Sequence, residues 1–227
     1  MIPSLIQNQL QEIYDLDCSH QVDDYLITDH QLADFLESNP ASRQTEEKLL
    51  VLEERNCLSI SLYLAEELLT YLEHNNPFEN LNSDNINGYC TVLEGVSHFM
   101  YLTWNAGFER PVSQLELELQ AEVDKFVSII HLARQQGITV QWQAISQHLF
   151  VNCSFDPLLN PHELARYQTA SNHAYSFCNQ LQVRHEKTVQ SKAVRKELLG
   201  RELRRFYRKR HLEKLFHCNM NRAISGP

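Results

Sequence analysis

The stretch SDNINGYCTVLEGVSHFMYLTWNAG (residues 83–107), followed by FERPVSQLELELQAEVDKFVSIIHLARQQ (residues 108–136), decides the fold of this chain. In both halves apolar residues recur every three or four positions, which is the spacing of a buried helix face. Ser83 can cap the first half, and Gly107 stands where a helix commonly ends. We therefore predict two long helices with a tight break between them at the centre of the fold.

The first predicted helix is apolar on two sides, so we expect it to be buried on two sides. Phe99 and Leu102 fall nearly opposite its main apolar stripe. Glu94 and His98 lie between the two sides and, being four residues apart, face the same way. Gly95 is small enough to let a neighbouring element come close. The main stripe consists of Ile86, Tyr89, Cys90, Leu93, Val96, Met100 and Trp104.

The second predicted helix begins with a capping box, Ser113 followed by Glu116, and Gly137 stands just past its expected end. Glu122 falls in the middle of its apolar stripe, and Glu118 lies at the edge one turn earlier. Because an unpaired buried carboxylate is costly, Glu122 should meet a cation, a hydrogen-bond donor, a metal or a proton. The stripe consists of Leu115, Leu119, Val123, Phe126, Ile130 and Ala133.

Two interpretations of these polar residues stay open. In the first, Glu94, His98, Glu118 and Glu122 form a metal site between the two helices, because carboxylate and imidazole ligands suit iron, manganese or zinc. In the second they are polar packing, with Glu122 paired to a lysine or arginine. The residues that we assign to ligand binding beside them are Tyr101 and Lys125.

The spacing of this cluster departs from that of di-iron helical bundles. Those proteins carry Glu-x-x-His on each of two helices. Here Glu94 and His98 give Glu-x-x-x-His, and the pattern occurs once. We therefore do not assign the chain to that class.

Composition excludes several classes of protein. The chain has 227 residues, 43% of them hydrophobic and 22% charged, as in ordinary soluble globular proteins. It has only six glycines, no glycine-rich phosphate loop and no Gly-x-Ser-x-Gly motif. No reaction motif is recognisable, so the sequence leaves open whether the chain is an enzyme.

The cysteines and the apolar runs predict a cytoplasmic protein. The six cysteines lie far apart without a Cys-x-x-Cys pair, so we expect reduced thiols rather than disulfides or a zinc finger. The first residues lack the basic and apolar regions of a signal peptide. No run approaches the roughly 20 apolar residues of a membrane span, and we expect no membrane association.

Charge is distributed unevenly along the chain. Residues 184–217 contain twelve Lys or Arg and four Glu, a net charge of +8, and the remainder carries −17. We predict one helix over SKAVRKELLGRELRRFYRKRHLEKLFHC (residues 191–218), weakened at Gly200. It either binds nucleic acid through phosphate contacts, with Tyr207 or His211 stacking on a base, or pairs with acidic groups of this chain or a partner. Its basic face consists of Arg201, Arg205, Arg208 and Lys209.

Residues 48–64 break the helical pattern. The runs KLLVLEE and CLSISLYL flank Arg55-Asn56, and the second run alternates apolar and polar residues. That alternation is typical of a strand, so we predict a β-hairpin. A single long helix over residues 46–74 is the competing interpretation.

Several shorter elements are also predicted. Thr28 should cap a helix that runs through Leu36. A short strand-like piece and then one or two helical turns should follow Gly137. Asn160 and Pro161 should start a helix that runs to about residue 188.

We therefore predict a mainly α, single-domain helical bundle-like fold with a small β-hairpin near residues 48–64. Residues 1–83 form an N-terminal α+β portion, 84–188 a central helical core, and 189–227 a basic C-terminal helix and tail. The expected function is binding to a protein partner, as an adaptor, regulator or assembly factor. The alternatives are a metal- or ligand-binding helical protein, enzymes included, and a nucleic-acid-binding protein. The oligomeric state is not predicted.

Overall fold

The fold is mainly α with a small three-stranded sheet, as the sequence predicts. The computed structural model describes residues 1–37, 45–54, 57–139, 141–187 and 192–219. The strands are β1 (Leu26–Ile27), β2 (Glu47–Glu54) and β3 (Cys57–Leu64). The α-helices in these ranges are α1 (Ile2–Tyr14), α2 (His30–Leu36), α3 (Glu66–His74), α4 (Ile86–Ala106), α5 (Gln114–Gln135), α6 (Trp142–Ser146), α7 (Pro161–Lys187), α8 (Lys192–Tyr207) and α9 (His211–Asn219).

The chain forms two compact units. Unit 1 consists of Met1–Gln9 and Cys18–Arg110, and unit 2 consists of Leu10–Asp17 and Pro111–Pro227. The two central helices therefore belong to different units, α4 to unit 1 and α5 to unit 2. The three predicted portions, divided after residues 83 and 188, have different boundaries from these two units. That division stays a prediction.

The sheet of unit 1 has the strand order β1-β3-β2. Strands β2 and β3 form the predicted antiparallel hairpin, with Val51 opposite Ile60 and Glu54 opposite Cys57. The competing long helix is wrong, because helical structure begins only at Glu66. The two-residue strand β1 pairs in parallel with the end of β3. The predicted turn at residues 55–56 lies outside the described residues.

Helix α4 approaches the sheet at Gly95, as its size suggests. A Cβ atom added there would lie 2.7 Å from Glu47 Cγ and 2.8 Å from Leu62 Cδ1. Such distances are far inside van der Waals contact, and the Leu62 side chain is fully buried and cannot retreat. Glycine at position 95 therefore sets how closely the helix and the sheet pack.

We expect Gly95→Ala to lower the free energy of unfolding of unit 1 by about 1–2 kcal/mol, because overpacking costs more than the ~1 kcal/mol that alanine gains in a helix. The chain has two tryptophans, so unfolding in a Trp142→Phe background can be followed through Trp104 of unit 1. The control is Gly200→Ala in α8, where the nearest atom outside the neighbouring backbone is 3.5 Å away on Arg204. Followed through Trp142 in a Trp104→Phe background, that change should stabilise unit 2 by about 1 kcal/mol. A stabilising Gly95→Ala would contradict the packing described.

Two of the predicted helix starts are wrong. Helix α4 begins after Asn85, and the Ser83 hydroxyl instead donates to the Asp84 carboxylate at 3.2 Å. Helix α2 is capped by Asp29, whose carboxylate accepts from the backbone N–H groups of residues 31 and 32. An aspartate accepts these bonds with a full negative charge beside the helix N-terminus, so it replaces Thr28 as the cap.

The predicted helix ends of unit 2 are largely confirmed. Ser113 and Glu116 form the capping box of α5. Gly137 follows α5 with φ +71°, a left-handed conformation that glycine adopts without strain. Asn160 accepts from two backbone N–H groups at the start of α7, next to Pro161. The strand-like piece predicted after Gly137 is not a strand at residues 138, 139 and 141, and the helical turns predicted after it are present as α6.

The predicted terminal helix is interrupted, but not at Gly200. Helix α8 continues through that glycine to Tyr207, and α9 starts at His211. The Glu213 carboxylate accepts from the Arg210 backbone N–H at 3.0 Å and caps the new helix. The break therefore falls within the basic run.

Candidate functional site

Two of the predicted metal ligands, Glu94 and His98, lie on α4 in unit 1. His98 is buried, and its Nδ1 atom lies 3.7 Å from Oε1 of Glu47 on β2. Tyr101, which we assigned to ligand binding, is also buried in α4. Within unit 1, His98 thus faces the carboxylate of Glu47. The helical periodicity could not predict this contact, because Glu47 belongs to the hairpin.

The other two predicted ligands, Glu118 and Glu122, lie on α5 in unit 2 and form separate ion pairs there. Glu118 Oε1 is 3.4 Å from Arg166 Nε, and Glu122 Oε1 accepts from Lys125 Nζ at 2.8 Å. The pairing of Glu122 with lysine agrees with the polar-packing interpretation. The four-residue metal site stays a prediction.

The predicted basic face is exposed at Arg201, Arg205 and Arg208, while Lys209 is half-buried. Arg201 Nε lies 3.7 Å from a Glu197 carboxylate oxygen, an exposed pair that contributes little stability. A base cannot stack on Tyr207 as predicted, because its side chain is buried. Nucleic-acid binding by this face stays a prediction.

Arg208 has a structural contact that its position in the basic run does not suggest. Its two terminal nitrogens donate to the backbone carbonyl oxygens of Tyr14, at 3.1 Å, and Asp15, at 2.9 Å. These carbonyls stand at the C-terminal end of α1, where no intrahelical donor remains. A cation there also interacts favourably with the helix dipole. The Arg208 guanidinium therefore caps the C-terminal end of α1 and links it to α8 within unit 2.

Unit 2 contains a buried lysine centre, formed by Tyr14, Gln120, Asp124 and Lys214. All four side chains are fully buried. Lys214 Nζ donates to Gln120 Oε1 at 2.5 Å, and Gln120 Nε2 donates to Asp124 Oδ1 at 2.7 Å. The Tyr14 hydroxyl donates to the same carboxylate. The centre thus joins residues from α1, α5 and α9.

Burial and nearby negative charges shift the pKa of Lys214 in opposite directions. Burial lowers the pKa of Lys214 to about 7, while the negative charges of Asp124 and Glu116 oppose the shift. Its Nζ also lies 5.0 Å from the centre of the Phe206 ring, a cation–π contact. Burial, followed by the Asp124 charge, raises the pKa of the Tyr14 hydroxyl well above its ordinary value. Since all four polar side chains are enclosed, their hydrogen bonds fasten α9 to α5.

The sequence missed this centre because its residues carry no joint signal. Asp124 lies two positions after Glu122, the residue that the apolar stripe had marked as buried. The structure instead leaves the Glu122 side chain 19% exposed and encloses Asp124 completely. Lys214 belongs to the basic run, where a solvated lysine is the usual expectation.

Unit 1 exposes a group of apolar side chains, which we call the apolar end. Phe35 of α2 is 84% exposed and Leu52 of β2 is 50% exposed. Single exposed apolar residues are common, but a group of them marks an interaction surface. The apolar end consists of Leu32, Phe35, Leu36, Val51, Leu52 and Leu58.

Helix α2 is held beside the base of the hairpin. Lys48 Nζ lies 2.8 Å from Glu37 Oε2 and 3.6 Å from Asp34 Oδ1, and the His30 ring packs edge-on against the Tyr63 ring. These contacts place α2 on the sheet face that carries Lys48 and Tyr63. Since side chains alternate along a strand, Leu52 projects from that same face further out.

The outer part of the hairpin is exposed on both faces. Burial falls along β2, from half-buried residues 47–50 to exposed residues 51–54, and β3 is buried only over residues 62–64. Val51 and Leu58 project from one face and Leu52 from the other. The hairpin therefore extends past its covering elements as a two-stranded ribbon with apolar side chains on each side.

Comparisons of the chain with known protein families, curated proteins and solved structures find no match. Among the helices of the described residues, none has the length and apolar character needed to cross a bilayer. The function must therefore be argued from the geometry of each unit.

Proposed function

We propose that this chain acts by binding another polypeptide, and that the apolar end of unit 1 is its binding surface. The observation that carries the proposal is the exposure of apolar side chains on both α2 and the outer hairpin, with Phe35 84% exposed. Adaptors, regulators and assembly factors act through surfaces of this kind.

The ribbon itself favours a partner. An isolated two-stranded hairpin is marginally stable in water, and burial of a large apolar side chain contributes about 1.5–3 kcal/mol. Leu52 and Val51 gain little of this while they stay exposed. A polypeptide that covers them supplies the missing burial.

The surroundings of the apolar end indicate the kind of polypeptide. Glu53 and Glu54 end β2 beside the exposed Val51 and Leu52. An extended apolar segment with a basic residue at one end matches this combination. The six reduced cysteines support action in a reducing compartment such as the cytoplasm.

Nucleic-acid binding is the weaker candidate. Arg208 already binds the end of α1, Arg201 lies beside Glu197, and Tyr207 is buried. These contacts leave fewer groups for phosphate and no aromatic side chain at Tyr207 for a base.

Panning a displayed peptide library against the chain tests the proposal. We expect wild type to enrich extended apolar peptides with a basic residue at one end of the apolar run. The double variant Phe35→Asp with Leu52→Asp should bind them at least about tenfold more weakly, because it places charges where apolar contact is made. Leu158→Asp is the control, since Leu158 is an exposed leucine of unit 2, outside the apolar end. It should leave binding unchanged.

Two outcomes would contradict the proposal. One is that wild type enriches no peptide, and the other is that the double variant binds the enriched peptides as well as wild type does. Fluorescence of Trp104 should confirm that unit 1 of the double variant remains folded.

A further inference from the structure

We infer that the polypeptide bound at the apolar end is a second copy of this chain, joined by antiparallel pairing of the two β2 strands around Val51. The inference rests on the proposed function, since it names the partner for that surface. The result is a continuous six-stranded sheet across a two-fold axis.

Strand β2 offers a backbone edge for this pairing. Within the described residues the sheet ends at β2, with β3 on its other side. Ala65 N donates to Glu46 O, and the direction of backbone groups alternates along a strand, so even-numbered residues of β2 bond to β3. The backbone groups of Leu49, Val51 and Glu53 then point outward. The backbone of a partner strand can form hydrogen bonds with these N–H and C=O groups.

Symmetry limits the register of such a pair. A two-fold axis perpendicular to the sheet places each residue opposite one on the same face, so the axis passes through a residue paired with itself. With Val51 on the axis, outward-pointing residues meet outward-pointing residues, as the ladder requires. Leu50 then lies opposite Leu52 of the second copy, and Lys48 lies opposite its Glu54.

Charge disfavours the register centred on Leu50. That register would place Glu47 opposite Glu53 in two symmetric pairs, and like charges directly opposite destabilise a sheet. The register centred on Leu52 would set Leu50 opposite Glu54, so that an apolar side chain meets a charge. The register centred on Val51 avoids both arrangements, and it places Lys48, whose Nζ lies 2.8 Å from Glu37 Oε2 of its own chain, opposite Glu54 of the second copy.

The same register brings apolar side chains of the two copies side by side. The two-fold axis keeps each face on its own side, so Val51 lies beside Val51 of the second copy on one face. On the opposite face Leu52 packs beside Leu50 of the second copy. Pairing therefore reduces the exposure of Val51 and Leu52, and it removes an edge that natural proteins otherwise protect.

Sedimentation velocity of the full chain over a range of concentrations tests the pairing. Wild type should form a dimer whose fraction rises with concentration. Glu54→Lys should weaken association about tenfold, because it sets a second lysine opposite Lys48 in each of the two symmetric pairs. Val51→Lys should weaken it at least as much, because two ammonium groups then meet on the axis.

Glu53→Lys is the matched control for Glu54→Lys. In the register centred on Val51 its partner is Leu49, so association should change less than about threefold. In the register centred on Leu50 its partner is Glu47, and Glu53→Lys would then strengthen association. That result would overturn the register centred on Val51. Hydrogen exchange gives a second readout, since dimerisation should slow the amides of Leu49, Val51 and Glu53.

The two proposals fail differently. A wild-type chain that stays monomeric overturns self-pairing. If it still binds peptides through Phe35 and Leu52, the proposed function stands with another partner. A dimer that Val51→Lys and Glu54→Lys leave intact also overturns the pairing, because it must form through another surface.

Discussion

Asp124→Ala should lower the free energy of unfolding of unit 2 by about 3–5 kcal/mol. The Asp124 carboxylate is fully buried and accepts from the Tyr14 hydroxyl and from Gln120 Nε2. Without it, two enclosed donors lose their acceptor and Lys214 loses a nearby negative charge. Unfolding followed by Trp142 fluorescence in a Trp104→Phe background measures unit 2 alone, since Trp142 lies in unit 2 and is then the only tryptophan of the chain.

The control for this prediction is Glu122→Ala, two residues earlier on α5. Glu122 is half-buried and pairs with Lys125, so its loss should cost about 1 kcal/mol or less. Asp124→Asn should lie between the two variants, because an amide oxygen can still accept while the charge is gone. A larger effect for Glu122→Ala than for Asp124→Ala would show that the wrong carboxylate has been identified as buried.

Unit 2 should become more stable as the pH rises above 7, and Lys214→Met should abolish this rise. The pKa of Lys214 is about 7 in the fold and near 10.5 in an unfolded chain. Between these values the unfolded chain binds one more proton, so the free energy of unfolding rises with pH. From pH 7 to 8.5 we expect a gain on the order of 1–2 kcal/mol.

The measurement is made between pH 7 and 8.5 because other buried groups titrate mainly outside this range. Burial lowers the pKa of His131 and of His217, so both act below pH 7. Burial raises the pKa of Cys218 to about 12, so its thiol keeps its proton when an unfolded thiol ionises near pH 9, which opposes the rise there. Equal pH dependence for wild type and Lys214→Met between pH 7 and 8.5 would contradict the role given to the lysine.

The elements that the sequence predicted well are those with strong local signals. The capping box at Ser113, the proline at the start of α7 and the alternation over residues 57–64 each specify a backbone conformation within a few residues. The hairpin prevailed over the competing helix because β-branched and alternating residues favour a strand there. Such signals do not depend on the rest of the fold.

The residues that the sequence placed wrongly depend on contacts between distant segments. Periodicity marked Glu122 as buried, but Asp124 is enclosed because Tyr14 and Gln120 offer it donors. Lys214 is buried because α9 folds back over these groups, which a run of basic residues gives no reason to expect. The apolar end was likewise not predicted, because strand alternation does not tell which part of a hairpin its neighbours cover.

The cap that Arg208 places on α1 has a consequence for synthesis of the chain. The guanidinium and the carbonyl oxygens that it binds are 194 and 193 positions apart. On the ribosome, the end of α1 emerges long before this arginine is translated. The segment Leu10–Asp17 must therefore wait for α8 before unit 2 can close around it.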